Sequence, residues 1–205
     1  GTLSGPKQGG GVPTNSYPSA RGEVILNKEN EIANLGPFYL YDEAQVGFTL
    51  NDVSGGLTLA GTIENSHGAI NISTVGGVLD LASSDIYAGG MATGGADVAL
   101  TGLGISQGIG SDINTTGGTT GDPRNDSNGG GTITLTGHDG LAAGAILLAG
   151  GVSTLSDSTA AITLRGTTDL QLPSIIAANG TLVLGDNTAI IGLISGKITQ
   201  ATSTA

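Results

Sequence analysis

AITLRG at 161–166, DLQLPS at 169–174 and TLVLGD at 181–186 are three short runs in which Leu or Ile alternates with a small or polar residue. A turn former follows each. The apolar pairs are Ile162/Leu164, Leu170/Leu172 and Leu182/Leu184. Alternation at period two sends one set of side chains to one face of a strand and their neighbours to the other. Each run is too short for a helix and too weak to stand alone. The first and third pairs lie twenty residues apart, which predicts one turn of a coil whose strands stack on those of the next turn.

Working outward, the same pattern appears in LTLAGTI, AINISTV, VLDLASSDIYAGG and DVALTGLGIS, with pairs at Leu57/Leu59, Ile70/Ile72, Leu79/Leu81 and Val98/Leu100. The pairs at 57, 79 and 98 are again read as successive turns of about twenty residues. TITLTG at 132–137, AILLAG and VSTLSD carry the ladder to the opening stretch. Two segments lack it. Gly1–Gly22, rich in Gly, Pro and Ser, predicts an irregular loop. Ser106–Gly131 has two Ile among many turn formers and predicts a surface insertion, because it cannot bury enough apolar area to offset its ordering entropy. The expected fold is all-β, a parallel β-helix or β-solenoid of about 20 residues per coil with two irregular loop insertions.

Composition agrees with a narrow interior. Among 205 residues there are two Phe, four Tyr, one Met and no Trp, whereas Gly numbers 38. Aliphatic layers closed by frequent turns fit that inventory. The glycines have no period of three, so collagen is excluded. Phe38, Tyr39, Tyr41 and Phe48 form the one aromatic cluster, read as local packing with ligand stacking as the alternative; Pro37 should edge or break a strand beside it. Net charge is −11, which excludes nucleic acid as a partner, since phosphate binding needs Lys and Arg to release counterions. Cys is absent, so stability must come from stacking. No apolar run reaches the roughly twenty residues of a membrane span.

NEIANLGPFYLYDEAQVGFTLND at 30–52, followed by GGLTLAGTIENSHGAINISTVGGVLDLAS, resembles the repeats of filamentous haemagglutinin and the high-molecular-weight bacterial adhesins. Those repeats share an N-x-I-A-x-L-G motif, an aromatic, and L-T-L-x-G segments. The family order also places I-T-Q and G-T-L-x-G segments before the asparagine-led motif. Here ITQ lies at Ile198–Gln200 and GTLSG at Gly1–Gly5, so joining Ala205 to Gly1 restores that order. The resemblance implies a right-handed β-helix, secreted and exposed on a bacterial surface, of which this chain is one period of a tandem array. The expected partners are further copies, head to tail, and neighbouring fibres or a glycan. The expected function is a structural repeat stacking into an extracellular fibre or stalk. The alternative is an adhesin module that binds a glycan through its inserted loops.

A polysaccharide-degrading β-helix enzyme is the third reading. GHDG at Gly137–Gly140 resembles the G-H-G of pectin-degrading hydrolases, and glycosidases need two carboxylates across the scissile bond. Asp42 and Glu43 are adjacent and would point to opposite faces. Asp80, Asp139 and Asp169 are the candidates for a shared face, Arg165 is the one ladder cation for lyase chemistry, and His138 reads as a turn residue. No catalytic residue is assigned, and the chain is expected not to be an enzyme. Asp112, Asp122 and Asp126 supply hard oxygens suited to calcium. His67 and His138, without Cys, carry no zinc signature. Sequons fall at Asn71, Asn114, Asn125 and Asn179, of which Asn114 and Asn125, in the expected loop, are the candidate glycosylation sites. TITLT at 132–136 suits one coil of an ice-binding threonine array, but the apparent equivalents LTLAG, VALTG and TLVLG break any continuous rank.

Overall fold

The computed structural model describes residues 2–3, 19–20, 22–40, 46–53, 55–89, 95–115, 130–138, 144–156, 158–166, 168–185 and 197–201. Among these, every regular element is a strand. In chain order they are β1 (Thr2–Leu3), β2 (Ser19–Ala20), β3 (Val24–Asn30), β4 (Asn34–Leu35), β5 (Phe38–Leu40), β6 (Phe48–Asp52), β7 (Leu57–Leu59), β8 (Ile63–Asn65), β9 (Ile70–Thr74), β10 (Val78–Asp80) and β11 (Ile86–Ala88). They continue as β12 (Val98–Thr101), β13 (Gly104–Gln107), β14 (Asp112–Asn114), β15 (Ile133–Gly137), β16 (Ile146–Leu148), β17 (Gly151–Ser153), β18 (Ile162–Gly166), β19 (Leu170–Leu172), β20 (Ile175–Ala177), β21 (Leu182–Leu184) and β22 (Ile198–Gln200).

Every third strand pairs in parallel. Sheet A has the order β1-β4-β7-β10-β13-β16-β19-β22, sheet B β2-β5-β8-β11-β14-β17-β20, and sheet C β3-β6-β9-β12-β15-β18-β21. The chain visits A, B and C in turn, which makes a three-sided β-solenoid.

The coil is longer than twenty residues. Successive circuits lie about 26 residues apart. Ile162 does pair with Leu182, and Leu57 with Leu79. Val98, however, leaves that series: it stacks between Ile70 and Ile133 in sheet C, whereas the partner of Leu79 is Ile105. One-face alternation does not say which of three walls a doublet belongs to, so segments from different walls share one apparent series.

Inward residues form the core. In sheet C the doublets Phe48/Leu50, Ile70/Ile72, Val98/Leu100, Ile133/Leu135 and Ile162/Leu164 are buried and stacked in register. Sheets A and B add Leu57, Leu59, Leu79, Ile146 and Leu170, and Leu40, Ile63, Ile86, Ile113 and Val152. Burial of each Leu or Ile contributes about 1.5–3 kcal/mol. A one-residue slip in any strand would turn its whole doublet outward, which fixes register. Phe38 and Phe48 pack with ring centroids 5.0 Å apart and belong to this core; Tyr39 faces outward from β5, and Tyr41 lies outside the described residues. Pro37 sits at the corner between β4 and β5.

Polar side chains close the corners by bonding across coils. Between sheets C and A, the buried Asp52 accepts from Ile32 N (2.8 Å) and from Thr74 Oγ1 (2.7 Å), residues of the coils on either side. Between B and C, Asn65 donates to Val46 O and Ala69 O and accepts from His67 N and Gly68 N. Between A and B, Gln107 donates to Ser111 O and Gly151 O. Backbone passes so closely at Gly144 that a Cβ there would lie 1.2 Å from Leu103 O, which admits no side chain.

The expected loops are shorter than their composition implies. Ser106 and Gln107 end β13, Asp112–Asn114 form β14, and Ile113 is fully buried. A single inward Ile is enough to anchor a three-residue strand when both neighbouring coils supply ladder partners, so Ser106–Gly131 is not one insertion. Residues 116–129 lie outside the described residues. Within Gly1–Gly22, Thr2–Leu3 and Ser19–Ala20 pair with β4 and β5.

Candidate functional site on the outer face of sheet B

Period-two alternation that buries Phe38 and Leu40, Ile63 and Asn65, and Ile86 and Ala88 turns the residue between each pair outward. Those residues are Tyr39, Glu64 and Tyr87. Parallel register places them in one rank: Tyr39 beside Glu64, Glu64 beside Tyr87, and Tyr87 beside Asn114. Adjacent strands are about 4.8 Å apart, so the two tyrosines stand about 9.5 Å apart with a carboxylate between them.

A second outward rank runs alongside. Ile86 pairs with Ile113, so the preceding residues Asp85 and Asp112 are also neighbours. Asp85 accepts from Asp112 N at 3.0 Å. The phenol of Tyr87 is pushed up to about 12, first by burial and then by the charges of Asp85 and Asp112, and its hydroxyl bonds to Asp85. Burial and the Asp85 charge also raise Asp112, opposed by a backbone bond from Gly151.

The sign of a pH effect follows. An acid whose folded-state pKa is raised binds its proton more tightly folded than unfolded, so stability falls as pH rises through that range. Asp112→Asn is therefore expected to raise the melting temperature at pH 7, and the gain should shrink as pH falls towards the ordinary carboxylate value of 3.8. Thermal denaturation of both proteins across pH 4–8 measures this; equal curves would mean that Asp85 and Asp112 do not repel.

The remaining candidates are dispersed. Asp112 starts β14, whereas Asp122 and Asp126 lie outside the described residues, and among those described no cluster of three or more His, Asp or Glu could hold a metal. Asn114 is corrected from a loop position to an outward strand position between Tyr87 and Ser153; Asn125 is not among the described residues. Asn71 and Asn179 are exposed. Asp80 and Asp169 do share sheet A but at different ranks, three strands apart or about 14 Å, beyond the roughly 5–9.5 Å of a glycosidase pair. Asp80 accepts from Ser106 Oγ (2.6 Å) and Ala82 N, and Asp169 from Lys197 N. Asp42, Glu43 and Asp139 lie outside the described residues. Arg165 is half-buried on β18 next to Thr136. His67 is buried in the B-to-C corner and shares a 2.9 Å hydrogen bond with Ser66 Oγ, and His138 follows β15.

Sheet C corrects the threonine comparison. The true neighbours of Thr134 are Ala99 and Thr163, and those of Thr136 are Thr101 and Arg165. Hydroxyls are thus more continuous than the sequence implied, but Ala99 and Arg165 interrupt them, and Thr136 and Thr163 are buried. An open depression of about 690 Å³ lies where β3 bulges, bordered by Lys28, Glu29, Val53 and Val75. Its one buried carboxylate, Asp52, is engaged in the corner bonds described above.

These features define a parallel β-solenoid with a tyrosine and carboxylate rank along one outer wall. No helix among the described residues is long and apolar enough to cross a membrane. The chain matches no family model, no curated protein and no solved structure.

Proposed function

We propose that this chain is a structural segment that stacks end to end with further copies in a secreted bacterial surface fibre or stalk. The supporting observation is that, among the described residues, inward positions of the last strands stay open to solvent: Leu184 and Ile198, inward by register, are 38% and 53% exposed. At the two ends β1, β2 and β3, and β22, β20 and β21, each keep one unpaired edge among the described strands. Such edges template further strands. Placing one copy's β2 and β3 on another's β20 and β21 continues sheets B and C; sheet A has eight strands against seven, so β22 and β1 then meet at one level, where one of them takes the place. The bacterial surface setting rests on the motif resemblance alone. Sedimentation velocity over a concentration series tests the stacking. Association that grows with concentration, and is abolished in Leu184→Lys/Ile198→Lys, is expected; a monomer at every concentration would end the proposal.

A further inference from the structure

We propose that the outer face of sheet B binds a cationic, β-linked amino-sugar polymer, a glucosamine-rich glycan lying along the solenoid axis. This goes beyond the scaffold reading and holds whether or not copies stack.

The spacing carries the inference. Tyr39 and Tyr87 occupy one rank, separated by a single strand, which sets their Cα atoms about 9.5 Å apart along the axis. An extended β-1,4-linked glycan turns over at each sugar, so the same sugar face recurs once per disaccharide, a distance close to two strand steps. Alternate sugars can then lie against Tyr39 and Tyr87, whose rings offer apolar faces to the sugar C–H groups and a negative quadrupole to an ammonium. Glu64 stands at the intervening sugar, where a carboxylate can accept from hydroxyl and ammonium groups. Asp85 and Asp112 flank the same track.

Charge selects among glycans. Three carboxylates on this face, on a chain of net charge −11, repel an acidic polysaccharide and attract a cationic one. A protonated amine on each sugar meets them. Binding costs little reorganisation, because the rank is held by backbone ladders on both sides.

The test uses the whole chain with four soluble probes: glucosamine hexamer, N-acetylglucosamine hexamer, cellohexaose and hexalysine, titrated calorimetrically. Expected is saturable binding of the glucosamine hexamer, weakened on the order of tenfold by Tyr39→Ala or Tyr87→Ala, retained in Tyr87→Phe, and reduced by salt. The two uncharged oligomers should bind markedly less. If an alanine variant loses its fold by circular dichroism, Glu64→Lys is the second variant: it sets a cation between the rings and must abolish binding. Three results would overturn the proposal: no saturable binding of the glucosamine hexamer, binding indifferent to both the rings and Glu64, or hexalysine binding as tightly without dependence on the tyrosines.

Discussion

Leu135→Ala should destabilise the solenoid by about 3–5 kcal/mol, the range for a buried leucine whose cavity cannot collapse. Leu135 is fully buried on β15, with Leu100 below and Leu164 above in register. Neither can move into the void, because each is fixed by its own strand ladder at a set spacing along the axis. The next residue provides the control. Thr134 points outward from the same strand and is half-exposed, so Thr134→Ala should stay within about 0.5 kcal/mol. Urea unfolding followed by far-ultraviolet dichroism compares the two. Similar losses at 134 and 135 would mean that β15 does not place its odd-numbered residues inside.

Asn65→Ala is expected to cost about 3 kcal/mol or more, although it removes few atoms. The buried amide makes four bonds: its Nδ2 donates to Val46 O (2.9 Å) and Ala69 O (3.1 Å), and its Oδ1 accepts from His67 N (3.3 Å) and Gly68 N (3.1 Å). Truncation leaves those backbone groups in a buried corner where water cannot replace the amide. Asn65→Asp separates the two halves of this role. A carboxylate still accepts from His67 N and Gly68 N but cannot donate to the two carbonyls, so a loss of similar or greater size at pH 7 is expected. The same unfolding assay measures both. An Asn65→Ala protein as stable as the parent would show that the corner is held by the strand ladders alone.

The legible part of the fold was the part written at period two. INI, VAL, ITL and the second ITL announced their inward doublets without help, because alternation is a local property of a strand. The wall each strand joins was not legible. Val98 looks like the successor of Leu79 by spacing, yet corners of unequal length move it to sheet C, above Ile70. β14 was missed for a related reason: DIN has one apolar residue and counts as strand only because β11 and β17 flank it. The candidate site shows the same limit. FYL, IEN and IYA reveal that Tyr39, Glu64 and Tyr87 point away from the core, but they lie more than twenty residues apart. Their alignment is a statement about register.

The sequence by itself determined that this chain is all-β, coiled and aliphatic inside, and acidic outside. Those properties follow from alternation, turn formers and charge counts, which are short-range or additive. Tertiary structure decided the three-sheet circuit of about 26 residues, the corner bonds of Asp52, Asn65 and Gln107, and the tyrosine and carboxylate rank. Each of these depends on which residues from different coils share a level along the axis, and that is set jointly by corner length, ladder register and the packing of the doublets within.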